Sequence, residues 1–154
     1  MASISTIAQC GAELHKSLQC YCNIFLVKEN SDKYSSLSEW ENRIVSNSGK
    51  VFVAVDGNLF VGFLFSHNRQ GTPNSEHIWL CGVKEEFRAK GVFTALYESL
   101  IASVACNTTI TICSFPDKFP AMVKWLKNNN FSPVGSPGED GKITFSKLIN
   151  KIKQ

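Results

Sequence analysis

The feature that most restricts the folds open to this chain is a single change of hydrophobic period in its middle. Val51–Val55 is a short run rich in β-branched residues, Asp56-Gly57 follows, and Leu59–Phe65 is a second apolar run. Asp-Gly between two such runs is a strong hairpin signal, because both residues tolerate the positive φ of a tight turn. A polar loop through Gly71-Thr72-Pro73-Asn74 leads to a third run, Ile78–Val83. The three runs predict an antiparallel meander. The spacing then turns helical: Phe93, Leu96, Leu100, Ile101 and Val104 fall on one face of a helix. Ile110–Ser114 reads as another strand. A helix that crosses between two strands makes them parallel neighbours, since a short hairpin can only join antiparallel ones.

The flanks add helices before and strands after. Ile7, Gly11, Leu14, Leu18 and Phe25 are spaced as one apolar helix face within the first 25 residues. Ser36 and Glu39 have capping-box spacing, and Leu37, Trp40 and Ile44 then share a face up to Ser46-Asn47-Ser48-Gly49. Pro120 opens a shorter helix with Val123 and Leu126 inward, and Asn128-Asn129-Asn130 closes it. Strands near Phe131–Val134 and Ile143–Lys147 flank the turn Ser136–Gly141. The expected fold class is mixed α/β (α+β), on a twisted, mostly antiparallel sheet of about six to seven strands with four helices. Without repeats or linkers, residues 1–154 read as one domain.

Composition narrows the function classes. Hydrophobic residues make up 44% and charged residues 19%, enough to build a core and too apolar for a disordered chain. A net charge of +3 without clustered Lys and Arg argues against nucleic acid as a partner. No apolar run approaches the roughly 20 residues of a membrane span, and no signal sequence opens the chain. The cysteines Cys10, Cys20, Cys22, Cys81, Cys106 and Cys113 sit mostly in apolar runs and read as reduced, packed thiols of a cytoplasmic protein. Cys20-Tyr21-Cys22 lacks a second pair at zinc spacing, so no metal site is expected.

The chemistry is concentrated where the third strand meets the central helix, in Val83-Lys84-Glu85-Glu86-Phe87-Arg88-Ala89-Lys90-Gly91-Val92-Phe93. The first N–H groups of a helix have no internal partner, and the helix dipole adds positive potential there. A pyrophosphate can engage several of them at once. Gly91 removes the Cβ that would hold phosphate oxygens off the backbone, and Arg88 and Lys90 supply counter-charge. Taken alone, these features are equally those of a basic surface turn.

The segment resembles motif A of the GNAT acetyltransferase superfamily, written Arg/Gln-x-x-Gly-x-Gly/Ala. Arg88 and Gly91 match, whereas Phe93 replaces a small residue. The order of elements from residue 4 to about 148 matches the family layout as well. The resemblance implies a splayed pair of parallel strands with acetyl-CoA as cosubstrate in the cleft between them. It assigns Cys81 and Val83 to the pantetheine amides, with Gly82 as the strand bulge, and the amides from Arg88 through Ala89, Lys90, Gly91 and Val92 to Phe93 to the pyrophosphate. The implied reaction is acetyl transfer to a primary amine of a small molecule or peptide. The family's glutamate base falls at His77, with Glu76 one residue earlier. Strand alternation puts these two on opposite faces, so one at most faces the cleft; a solvated pair at a loop edge is the alternative. The family's tyrosine acid falls at Leu126, which has no hydroxyl, while Tyr97 reads as a packing residue. Cys113 or Ser114 lies at the second parallel strand's end, as a group near the thiol or as structural residues. The acceptor pocket is expected from the first two helices and the loops at Ser66–Ser75 and Ser136–Gly141. Expected partners are acetyl-CoA and an amine, with the protein a monomer or homodimer. The competing readings are a non-catalytic acyl-CoA-binding or interaction module, and a domain for another phosphorylated ligand.

Overall fold

A computed structural model of the chain describes residues 3–6, 37–69 and 72–151. Its strands are β1 (Ser3–Thr6), β2 (Lys50–Asp56), β3 (Leu59–His67), β4 (Ser75–Val83), β5 (Thr108–Ser114), β6 (Ser132–Val134) and β7 (Ile143–Ile149). They form one seven-stranded sheet in the order β1-β2-β3-β4-β5-β7-β6. The helices are α1 (Leu37–Ser46), α2 (Val92–Ser103) and α3 (Pro120–Asn128). The expected meander, crossover helix and parallel pair are all present, and among the described strands only β4 and β5 run parallel.

Two expectations change. Three α-helices occur among the described residues instead of four, because the helix expected in the first 25 residues falls on 7–25, outside the described residues. The short strand β1, which the helical spacing did not anticipate, pairs with β2 from Ser3↔Val55 to Thr6↔Phe52. Four residues are too few to show a period, so this strand exists through its ladder rather than through a pattern.

Both faces of the central strands are covered, which is why Val51–Ala54 is apolar without alternation. On one face Phe52, Leu64, Ile110 and Phe145 pack with Leu96 and Leu100 of α2 and Leu126 of α3. On the other face Val51, Val53, Phe63 and Phe65 pack with Trp40 of α1, which is fully buried. Each such side chain contributes about 1.5–3 kcal/mol through burial. Gly62 of β3 lets α2 sit close: a Cβ there would meet Val92 Cγ1 and the Gly82 carbonyl, each at 3.2 Å.

The parallel pairing runs only from Ser75↔Thr109 to Ile78↔Ile112. Beyond it β4 continues to Val83 with no β5 residue opposite, so the strands part into a gap. A register shift against β3, from Phe65↔Leu80 to Ser66↔Ile78, leaves Trp79 as the extra residue. The bulge is therefore at Trp79 and not at Gly82, which pairs regularly with Phe63. The shift lies at the point where β4 leaves β5, so it follows from sheet geometry and not from the local freedom of a glycine.

Candidate active site

The gap is lined by strand backbone. The Lys84 amide donates to the Val61 carbonyl at 2.7 Å. Hydrogen-bonding direction alternates along an antiparallel ladder, so Gly82 and Leu80 also face β3. Cys81 and Val83 therefore turn their backbone polar groups toward the gap. One of those groups is engaged, since Arg88 Nε donates to the Val83 carbonyl at 2.8 Å. The Cys81 and Val83 side chains pack into the core beneath α2, and burial pushes the Cys81 thiol up to about 12.

At the far end of β4 a 3-10 turn, Glu85–Phe87, leads through Arg88, Ala89 and Lys90 to α2. Ala89 (φ 59°) and Gly91 (φ 81°) are both left-handed. Gly91 is the N-cap of α2 and supplies no side-chain cap, so the amides of Val92, Phe93 and Thr94 have no helical partner. A Cβ on Gly91 would meet nothing within 4 Å, so the space above the turn is open. Lys90 Nζ stands 5.8 Å from the Phe87 ring. The Phe93 ring turns to the core rim, edge-on to Trp125 at 4.7 Å, and leaves the amide side clear. The residues present thus fit an acyl-CoA: a polar backbone slot leads to an open, positive turn.

Glu76 and His77 lie on opposite faces of β4, as alternation requires. Glu76 is buried on the α2 face, lining a cavity of about 610 Å³ together with Lys50, Ser103 and Thr108. With its amide oriented to satisfy both groups, Asn68 Nδ2 donates to Glu76 Oε2 at 2.8 Å and to the Ser75 carbonyl at 2.9 Å. Burial raises the Glu76 carboxyl above its usual range, and Lys50 opposes this.

His77 faces the α1 side. Its Nδ1 lies 2.7 Å from Thr111 Oγ1 and its Nε2 lies 3.0 Å from Arg69 Nη2. A guanidinium only donates, so Nε2 bears the lone pair and Nδ1–H donates to Thr111. Beside it, His67 Nε2 accepts from Arg43 Nε at 3.3 Å. The two imidazoles are 5.6 Å apart, and the Arg43 guanidinium lies 3.7 Å over the Trp79 ring. Burial first, then the charges of Arg69, His67, Lys142 and Arg43, lower His77 to about 3. It is neutral at pH 7, and its lone pair is held by Arg69.

The remaining candidates separate. Ser114 is buried at the end of β5, opposite Ile143 and beyond the last pair with β4. Cys113 faces the opposite side, with Sγ 3.4 Å from Thr144 Oγ1. Leu126 is fully buried in the core. Tyr97 packs edge-on against Trp125 at 5.0 Å, and burial raises its hydroxyl to about 12. Sequence reasoning missed Arg43, Trp79 and Thr111. The spacing of Trp40 and Arg43, three apart on one helix, was the one available signal for Arg43.

The acetyltransferase (GNAT) family model matches residues 13–128 of the chain. No curated protein matches it significantly in sequence. Among solved structures, an aminoglycoside 6'-acetyltransferase type Ii superposes with a TM-score of 0.76 at 21% identity, covering 98% of this chain and 99% of its own. An aminoglycoside 6'-N-acetyltransferase complexed with coenzyme A gives 0.72 at 17% identity, covering 99% of each chain. A GNAT-family acetyltransferase from Staphylococcus aureus Mu50 gives 0.74 at 15% identity, covering 96% of this chain and 100% of its own. These likenesses establish a shared fold; the family match, which spans more than half of the sequence, establishes that the chain belongs to the GNAT acetyltransferase family.

Proposed function

We propose that this acetyltransferase moves the acetyl group of acetyl-CoA directly onto a primary amine of a small molecule or peptide within a ternary complex. The observation that carries the reading is the continuous slot from the β4–β5 gap to the open turn at Gly91. The Cys81 and Val83 backbones would hold the pantetheine arm, and the amides between Arg88 and Phe93 the pyrophosphate, with Arg88 and Lys90 as counter-charge and Ser114 at the slot's edge. The cosubstrate supplies the activated thioester. The amine nitrogen bonds to the carbonyl carbon, the C–S bond breaks, and CoA leaves as the thiol. A thiol at Cys81 raised to about 12 stays protonated, which supports direct attack over an acyl-cysteine route.

Of the two candidate bases, His77 is the one on the α1 face, with Thr111 and His67, and Glu76 faces the α2 side, lining a cavity with Lys50 and Arg69. His77 can accept the amine's proton only once Arg69 leaves Nε2. Proximity of two bound substrates supplies much of the rate in such a reaction. The chain is taken as one domain, a monomer or homodimer. The free thiols of Cys81, Cys106 and Cys113 support a reducing, cytoplasmic setting. Among the described residues no helix is long and apolar enough to cross a membrane.

The second reading, a non-catalytic acyl-CoA-binding module, is favoured by Leu126 at the expected acid position and by the engaged His77 lone pair. Release of free CoA thiol, measured across amino acids, amino sugars, polyamines and peptides, decides between them. Turnover with any amine excludes the module; tight acetyl-CoA binding without turnover excludes the enzyme.

A further inference from the structure

The α1 face carries a cation cluster for which the transfer step alone gives no reason. Arg43 lies on Trp79 and donates to His67; Arg69 donates to His77; Lys142, just before β7, acts on the same imidazole. Among the described residues both guanidiniums are thus anchored on neutral rings rather than on carboxylates. Among the described residues, every charged group acting on His77 or His67 is cationic. Glu39, one turn earlier on α1, is exposed; Glu76, whose side chain leaves the other face of β4, lines one cavity with Arg69, but there its carboxylate accepts from Asn68. A guanidinium has five N–H donors, so anchoring one leaves others to grip a carboxylate or phosphate in a fork.

The position matters as much as the charge. Trp79, under Arg43, is the bulged residue at which β4 leaves β5. His77, under Arg69, pairs with Thr111 one rung before the last parallel pair. At about 3.3 Å per strand residue, an anion held by the two arginines lies roughly 5–10 Å from the opening of the gap. That is the reach of a small amine.

We propose that the acceptor is an amine that also bears an anionic group, a carboxylate or a phosphate, gripped by Arg43 and Arg69, and that polycationic amines are rejected. This rests on the acetyltransferase reading above. An anion that draws Arg69 to itself also releases His77 Nε2, which gives the amine's proton a nearby acceptor. Recognition of the anion and acceptance of the proton are then coupled through a single guanidinium.

The test compares matched amines with acetyl-CoA, reading free thiol: ethanolamine against phosphoethanolamine, a biogenic amine against its parent amino acid, and an aminoglycoside. The anionic member of a pair should show a kcat/KM higher on the order of tenfold or more. The carboxylate and phosphate arms identify which anion is read. Arg43→Gln and Arg69→Gln should raise KM for the anionic member and so bring the kcat/KM ratio of the pair toward one; Arg69→Gln, which frees His77 Nε2, should also raise kcat for the neutral member. Arg43→Lys, which keeps the charge but loses the fork, should recover part of the loss. Calorimetric affinity for acetyl-CoA should be unaltered in each variant, which shows that the fold is intact. Equal use of both members, or preference for the aminoglycoside, overturns the proposal and leaves the acetyltransferase reading standing. If acetyl-CoA binds but no amine turns over, the same pairs are compared as ligands of the CoA-loaded protein by thermal shift, and equal or absent shifts overturn it. If acetyl-CoA neither binds nor supports turnover, the acetyltransferase reading falls with it.

Discussion

At the scale of single residues, His77 shows how surroundings override identity. In the unfolded chain its imidazole titrates near 6.5; in the fold, burial and the neighbouring Arg69, His67, Lys142 and Arg43 lower it to about 3. Between those values the unfolded chain binds the extra proton. The His77 contribution is therefore complete above pH 6.5 and is lost as pH falls toward 3, at up to about 1.4 kcal/mol per pH unit. Glu76 works the other way, because its raised carboxyl makes the folded chain the stronger proton binder just above its ordinary value of 4.5. Comparing wild type with His77→Gln cancels that term. The melting temperature of wild type should fall more steeply than that of His77→Gln between pH 6.5 and pH 4.5, and parallel curves would show that the imidazole is not held neutral by its site. Residue types made Glu76, His77, Arg88 and Gly91 visible in the sequence, since titratable groups and a glycine carry their chemistry on their face. Arg43 and Thr111 were not visible, because each acquires its role only from a partner brought in by another element, Trp79 under Arg43 and His77 beside Thr111.

At the scale of elements, the N-terminus of α2 invites the most direct test. Gly91 has φ 81° and open space where a Cβ would stand. Any side chain there meets backbone strain of about 1–3 kcal/mol. Only a large one also fills the space above the turn. Gly91→Ala and Gly91→Trp should therefore lose similar stability, whereas acetyl-CoA affinity by calorimetry should drop by on the order of tenfold or more in Gly91→Trp and by clearly less in Gly91→Ala. Unchanged affinity in the tryptophan variant would refute the pyrophosphate assignment. The helix itself was legible from the period of Leu96, Leu100 and Val104. The strand bulge was not: it was expected at Gly82, where local freedom is greatest, and lies at Trp79, where β4 departs from its neighbour. Bulges relieve a mismatch between strands, so one strand's sequence does not place them.

At the scale of the whole molecule, the described strands form one sheet clad by helices on both faces, and the gap between β4 and β5 is part of that architecture. A ligand that binds only the native state stabilises all of it. Acetyl-CoA at about 100 times its Kd should add about 2.7 kcal/mol, read as a rise in melting temperature. Nucleotides without the pantetheine arm should give a clearly smaller rise, and a larger one would favour a domain for another phosphorylated ligand. The mixed α/β class, the order of strands and helices from Leu37 onward, the parallel crossover and the basic glycine turn are all legible in the amino-acid order. These follow from hydrophobic period and turn chemistry, which act between near neighbours in the chain. Where the bulge falls, which of Glu76 and His77 faces α1, and the meeting of two arginines and two histidines there are set by the packed fold. Those outcomes depend on contacts between residues far apart in sequence, such as Arg43 with His67 and His77 with Thr111, and no local pattern encodes them.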